Sequence, residues 1–196
     1  MLDILIAVLA AGSSSRLGQP KQLVTIKGEA LLHRQCRMAL ETQIAPVAVV
    51  LGSNAMACAK AIAELPVTQL INQNWKEGIA SSVRVATQAA IQLNASGLLI
   101  LLCDQFKVTA QDLQKLCRAW AKSGGTKACR SRYQDYAGPP VILPKACFPM
   151  AMELHGDEGA RKVFEKLKAD SLIEVPMLNA VQDLDLPSQL QLEGAC

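Results

Sequence analysis

Only two histidines, His33 and His155, occur in the 196 residues, and no Cys-x-x-Cys pair is present. A Ser-His-Asp triad or a zinc site therefore has almost no raw material, and hydrolase and zinc-enzyme chemistry lose their footing. Aromatic residues are scarce, at two Trp, two Tyr and three Phe, and no run of Lys or Arg occurs. Little is left for stacking bases or tracking a polynucleotide backbone, so nucleic acid is the weak reading. The longest apolar runs, Ile4 to Ala11 and Leu98 to Cys103, fall far short of the roughly 20 residues that a membrane-spanning helix needs. No membrane segment is expected. Asp3 stands where a secretion signal needs a basic region, so the first apolar stretch reads as a buried strand.

Twelve Gly and nine Pro are too few for a collagen-like or low-complexity chain, and 51% hydrophobic residues with a net charge of +3 argue against disorder. What remains is a soluble globular protein, read as one domain over residues 1–196. Seven cysteines form an odd set, no two closer than twelve positions, in a chain too large to need staples. A reduced, cytoplasmic compartment follows.

The first half alternates short apolar runs with longer amphipathic stretches, the pattern of parallel strands joined by helices. Strands are expected at Ile4 to Leu9, Val47 to Leu51, Val67 to Ile71 and Leu98 to Cys103. Helices are expected at Ala30 to Thr42, Asn54 to Glu64, Ala80 to Leu93 and Ala110 to Lys122, the last opened by a capping box of Thr109 and Asp112. Beyond Gly124-Gly125, strands are placed at Lys127 to Ser131 and Pro140 to Leu143 and a helix around Glu158 to Lys168. The tail reads as strand-poor until Leu184 to Pro187. The expected architecture is a three-layer α/β/α, Rossmann-like fold with a mostly parallel central sheet.

The segment Leu9-Ala10-Ala11-Gly12-Ser13-Ser14-Ser15-Arg16-Leu17-Gly18-Gln19-Pro20-Lys21 leaves the first strand and turns at small residues before presenting two cations. In an open α/β sheet, ligands sit beyond the carboxyl ends of the strands, so this loop is placed to bind something. Gly and Ser let backbone N–H groups approach an anion, while Arg16 offers a planar fork and Lys21 a point charge. It is neither Gly-x-Gly-x-x-Gly nor a Walker A loop, which disfavours dehydrogenases and P-loop kinases.

From Leu9 to Leu23, the pattern Leu-Ala-Ala-Gly-x-Ser-x-Arg-x-Gly-x-x-Lys-x-Leu resembles the signature loop of nucleotidyltransferases of the molybdenum cofactor cytidylyltransferase type. Matches continue in order at Gly78 with Ser81-Ser82, at Cys103-Asp104-Gln105, at Gly138-Pro139-Pro140, at Gly156 to Arg161 and at Asp183-Leu184-Asp185-Leu186-Pro187. Phe106 departs from the family's usual Asp-Gln-Pro, and Pro139 stands where a His or another polar residue is common. The resemblance implies transfer of CMP from CTP to the molybdopterin cofactor with release of pyrophosphate. Arg16, Lys21 and Asp104 would be catalytic, and Leu9, Ala10, Ala11, Gly12, Ser13, Ser14 and Ser82 would complete the nucleotide site. A molybdoenzyme or its accessory protein would be the downstream partner. Two alternatives stand beside this reading: a nucleotidyltransferase for a sugar phosphate or other phosphate acceptor, and a non-catalytic cofactor-delivery protein.

Asp104 ends the most apolar strand, where a carboxylate is costly unless it is solvated, hydrogen-bonded or on a metal. Mg²⁺ held by one or two carboxylates and by substrate phosphates is the usual arrangement for nucleoside triphosphates. A second carboxylate could come from Asp183 or Asp185, two apart and so on one face of an extended chain. Asp157 and Arg161, four apart, can pair on one helix face. Trp75, Trp120, His33 and His155 read as packing or surface residues. Guanylyltransferases of the type tend to carry Gly-Gly where this chain has Ala11-Gly12, and the added methyl is expected to crowd a purine.

Overall fold

The computed structural model describes residues 2–13 and 19–181. Seven strands build the central sheet: β1 (Ile4–Ala10), β4 (Val47–Leu51), β5 (Thr68–Ile71), β6 (Gly97–Leu102), β7 (Ala128–Tyr133), β8 (Tyr136–Pro144) and β9 (Leu172–Pro176). A small antiparallel hairpin of β2 (Thr25–Ile26) and β3 (Glu29–Ala30) stands apart from it. The sheet order is β5-β4-β1-β6-β8-β7-β9. Four of its six pairings are parallel, and only β8 runs against its neighbours β6 and β7.

β1 is buried at all seven positions because it sits mid-sheet with helices over both faces, so its sequence is a continuous apolar run. Its side chains divide by alternation. Ile4, Ile6, Val8 and Ala10 join one core cluster, while Leu5, Ala7 and Leu9 join the other. The first cluster is closed by α1 (Leu31–Glu41), α2 (Ala55–Ala61) and α4 (Ala110–Lys122). In α4, Leu113, Leu116, Cys117 and Trp120 recur at helical spacing on the buried face, and Thr109 and Asp112 form the expected capping box. The second cluster is closed by α3 (Ile79–Gln92), α5 (Phe148–Met152) and α6 (Arg161–Glu165). No helix among the described residues is long and apolar enough to cross a membrane.

The sheet order carries the functional consequence. From β1 the chain runs outward through β4 to β5, then crosses back to place β6 on the other side of β1. The carboxyl ends of β1 and β6 therefore open a crevice at the point where the strand order reverses.

The C-terminal third departs from expectation. β9 lies at 172–176, within the stretch read as strand-poor, and pairs in parallel with β7. It is an edge strand with Leu172 and Ile173 half-buried, Glu174 and Pro176 exposed and only Val175 buried, so it shows no clean alternation; its pairing with β7 supplies what the local pattern lacks. The helix expected over Glu158 to Lys168 shrinks to the five residues of α6, and α2 ends three residues short of Glu64. The tail from Leu184 to Pro187 lies outside the described residues.

Candidate active site

A cavity of about 380 Å³ opens at the crevice between β1 and β6. Leu9 to Ser13 wall one side, Leu102 to Asp104 another, and Trp75, Lys76, Gly78, Ile79 and Ser82 a third. Its size falls within the usual range for small-molecule sites.

At its centre the Lys21 Nζ lies 2.6 Å from Asp104 Oδ2. The two residues are 83 positions apart, and each side chain keeps about a fifth of its surface exposed. Asp104 sits just past β6 because the strand is spent by Leu102 and the chain turns, Gln105 N–H donating to Leu102 O at 3.3 Å and Phe106 N–H to Asp104 O at 2.9 Å. Its second oxygen, Oδ1, is buried and accepts no hydrogen bond among the described residues. A buried carboxylate oxygen left without a partner is costly unless something else fills its coordination.

Three buried side-chain amides fix the loops around this pair; Gln105 belongs to the Cys103-Asp104-Gln105 match, while no sequence pattern points to Gln22 or Asn72. Gln22, 2% exposed, donates through Nε2 to Ala10 O at 2.9 Å and to Gly12 O at 2.6 Å, so the returning loop is pinned to its own departure point. Asn72 donates to Ser81 Oγ at 2.8 Å and Ser82 Oγ at 3.0 Å, and its Oδ1 accepts from Asn74 N–H. Gln105, fully buried, donates to Pro139 O at 2.7 Å and to Ala180 O at 2.9 Å. Each partner is a group many positions away, which is why a lone Gln or Asn in the sequence is silent about it. The backbone pieces that look like a phosphate loop, a helix start and a Gly-Pro-Pro strand are thereby held as one frame.

The remaining expectations fall out as follows. Leu9, Ala10, Ala11, Gly12, Ser13, Lys21, Ser82 and Asp104 all line the cavity. Ser14, Arg16, Asp183 and Asp185 lie outside the described residues. α3 begins at Ile79, just after Gly78, so Ser81 and Ser82 lie in its first turn; Ser81 Oγ donates back to Gly78 O at 2.8 Å. Arg161 turns along its own helix to Glu165, at 3.5 Å, instead of pairing with Asp157. Asp157 lines the cavity. Trp75 corrects a reading: it forms cavity wall, with the Lys76 ammonium 5.6 Å from its ring centre. The signal was the neighbouring Gly78 motif, three residues on. His33 does sit at the surface, its ring nitrogens 2.7 Å from Glu29 and 2.9 Å from Glu64. Cys103 is a buried part of the cavity wall, where burial, aided by the charge of Asp104, pushes its thiol well above the ordinary range. It is no nucleophile at neutral pH.

The Ala11 methyl is only 4% exposed and faces Gly52, where an added Cβ would come within 2.8 Å of it and within 2.6 Å of Trp75 Cβ. Every carbonyl from Leu9 to Gly12 already accepts a hydrogen bond, from Cys103 N–H, Gln22 and Ser53 N–H. Among the described residues, the N–H groups of Ala11, Gly12 and Ser13 donate to nothing. The loop thus shows the cavity donors.

Glu77, beside the cavity, binds Arg84 through both oxygens, at 2.8 and 2.6 Å, and accepts from Gly156 N–H at 3.3 Å. The Arg84 guanidinium holds this carboxyl down at about 2, against an ordinary 4.5. A lowered pKa contributes stability that is complete above the unfolded value and lost as pH falls toward the folded one. Glu77→Gln should therefore lower Tm at pH 7, where the contribution is complete, and flatten the part of the acid limb between pH 4.5 and 2 in a plot of Tm against pH; an unaltered Tm at pH 7 with an unaltered acid limb would remove Glu77 from the balance.

An open sheet with a phosphate-type loop, a lysine and a carboxylate at the switch point defines a nucleotide-handling α/β protein. Residues 6–171 match the MobA-like NTP transferase domain, and the chain belongs to that family of nucleotidyltransferases. It is 28% identical over 193 residues to the purine catabolism protein PucB of Bacillus subtilis, covering 94% of this chain and 92% of that protein. It is 30% identical over 192 residues to the nicotine blue oxidoreductase of Paenarthrobacter nicotinovorans, covering 93% and 92%. Over 115 residues, 57% of this chain and 54% of the relative, it is 30% identical to a molybdenum cofactor guanylyltransferase of Opitutus terrae. Among solved structures, Rv0371C of Mycobacterium tuberculosis in complex with manganese superposes with a TM-score of 0.75 at 25% identity, covering 96% of each chain.

Proposed function

We propose that this nucleotidyltransferase moves CMP from CTP onto the terminal phosphate of a molybdopterin-type cofactor, in a cytoplasmic setting. The observation that carries the reading is the Lys21–Asp104 pair at the switch-point cavity, with Asp104 Oδ1 buried and unpartnered. Such an oxygen suits a hard cation, and the manganese complex of the similar Rv0371C supports a divalent ion. Asp104 would hold Mg²⁺ here, and the ion would neutralise charge on the phosphate oxygens. Asp183 and Asp185 remain proposed second ligands, and Arg16 with Ser14 a proposed part of the phosphate loop.

The chain's own groups divide the remaining work. Lys21 and the N–H groups of the first loop offset charge growing on the leaving pyrophosphate, Ser13 and Ser82 add hydroxyls along the wall, and the three amides keep the loops from rearranging. A phosphate monoester on the acceptor has a second pKa of about 6 and is largely ionised at pH 7, so it attacks the α-phosphorus without a general base. One P–O bond forms as the bond to pyrophosphate breaks. The choice of CTP follows the resemblance: Ala11-Gly12 stands where guanylyltransferases of the type tend to carry Gly-Gly.

The names of the relatives span different reactions, and the molybdopterin acceptor follows from the resemblance of the motifs between Leu9 and Pro187. Pyrophosphate release measured with each NTP, with and without molybdopterin, tests the reading. CTP with molybdopterin should exceed GTP and ATP by 10-fold or more, a difference about the size expected for one or two hydrogen bonds. Faster turnover with GTP or ATP would overturn the cytidylyl assignment; release that needs a sugar phosphate instead would overturn the acceptor.

A further inference from the structure

We propose that Lys21 is the stand-in cation of the nucleotide-free protein: it occupies Asp104 until a triphosphate draws it away, so a divalent ion gains this carboxylate only together with nucleotide. The inference rests on Asp104 as the metal ligand of the reading above. Its grounds are geometric. The ammonium is at 2.6 Å from Oδ2, a distance for a charge-assisted hydrogen bond, and the same two side chains line the cavity from opposite loops. With its ammonium on Oδ2, Lys21 places a positive charge beside the carboxylate that would hold a cation, and that same charge is what a triphosphate attracts.

The backbone around Lys21 allows such an exchange without loop movement. Lys21 opens a short 3₁₀ turn, Lys21–Leu23, in which Leu23 N–H donates to Pro20 O and Val24 N–H to Lys21 O. The next residue is Gln22, clamped to Ala10 and Gly12. The main chain is therefore fixed on both sides of the lysine, and only its four-carbon stem has to turn. A divalent ion arriving alone meets an ammonium on the carboxylate and like-charge repulsion in a part-buried site. A triphosphate brings the opposite charge that the displaced ammonium can follow. Lys76, whose ammonium sits over Trp75 at the cavity wall, has no such carboxylate to leave.

The test uses Mn²⁺ alone, without nucleotide, on the full chain, with free Mn²⁺ read by electron paramagnetic resonance. Wild type, Lys21→Ala, Lys21→Met and Lys21→Ala combined with Asp104→Asn are compared. Lys21→Ala should bind Mn²⁺ at least 10-fold more tightly than wild type, and the double variant should lose that gain. Lys21→Met, which keeps the stem's packing, should follow Lys21→Ala, and circular dichroism melts identify any variant that has unfolded. With CTP present the order should invert, Lys21→Ala binding the Mn²⁺–CTP pair more weakly than wild type. Equal Mn²⁺ affinity in wild type and both lysine variants, or a gain that survives Asp104→Asn, would overturn the proposal. Since the metal-only measurement needs neither CTP nor acceptor, its failure is distinct from failure of the cytidylyl reading.

Discussion

Asp104→Asn should leave a folded protein whose turnover falls by about 100-fold or more. The substitution exchanges an anionic oxygen for a neutral amide of almost the same volume, so the turn after β6 keeps its backbone bonds, Gln105 N–H to Leu102 O and Phe106 N–H to Asp104 O. What is lost is the charge at the centre of the cavity. Removing one well-placed electrostatic group from a catalytic site commonly costs 10²- to 10³-fold. Lys21 would lose its partner at 2.6 Å, but with about a fifth of its surface exposed it can turn to water, and the melting temperature should move by only a few degrees. Single-turnover rates with CTP and acceptor, beside thermal melts, check both halves. Near wild-type rates in the folded variant would remove Asp104 from the chemistry.

Gly78→Ala should damage stability and site together. Gly78 carries φ +122 with an extended ψ, a region that only glycine adopts readily, and it stands between the 3₁₀ turn Trp75–Glu77 and α3. A Cβ there would lie 2.3 Å from Gly156 O and 2.5 Å from Asp157 Oδ1. The nearest atom is backbone, and Gly156 O already accepts from Ala80 N–H at 3.1 Å, so neither loop can yield cheaply. Strain of roughly 1–3 kcal/mol and overpacking of similar size add to about 3 kcal/mol or more. For a chain of this length each 1 kcal/mol shifts Tm by roughly 2–4 °C, so a fall of about 6–12 °C is expected. The displaced loops both contribute cavity wall, through Trp75 and Asp157, so the KM for CTP should rise as well. A melting temperature within about 2 °C of wild type would show that the loops separate freely.

What the sequence made legible follows from how deeply each element is buried. β1, β4 and β6 read as strands because both faces are covered and every position had to be apolar. The same runs, with the small-residue loop after β1 and the Asp after β6, placed the cavity-lining Lys21 and Asp104 in advance, since a carboxylate at the end of so apolar a strand demands a reason. β9 escaped because an edge strand owes its form to β7, a neighbour some forty residues away in sequence. Trp75 escaped for a different reason: an aromatic in a polar stretch is equally at home on the surface or on a cavity wall, and only the approach of Gly52 against it decides. Gln105 was marked by the Cys103-Asp104-Gln105 match, but its partners were not, and Gln22 and Asn72 were silent, because an amide's bonding partners are set by tertiary folding and leave no periodic trace.

Those three amides give the cavity a property of their own. Gln22, Asn72 and Gln105 carry no charge at any pH a cell meets, and no histidine lines the cavity. On the proposed reading, the latches that shape the pocket would stay fastened while an incoming phosphate monoester passes between one and two negative charges, and the pocket would sort such ligands by their own ionisation instead of by opening and closing around them.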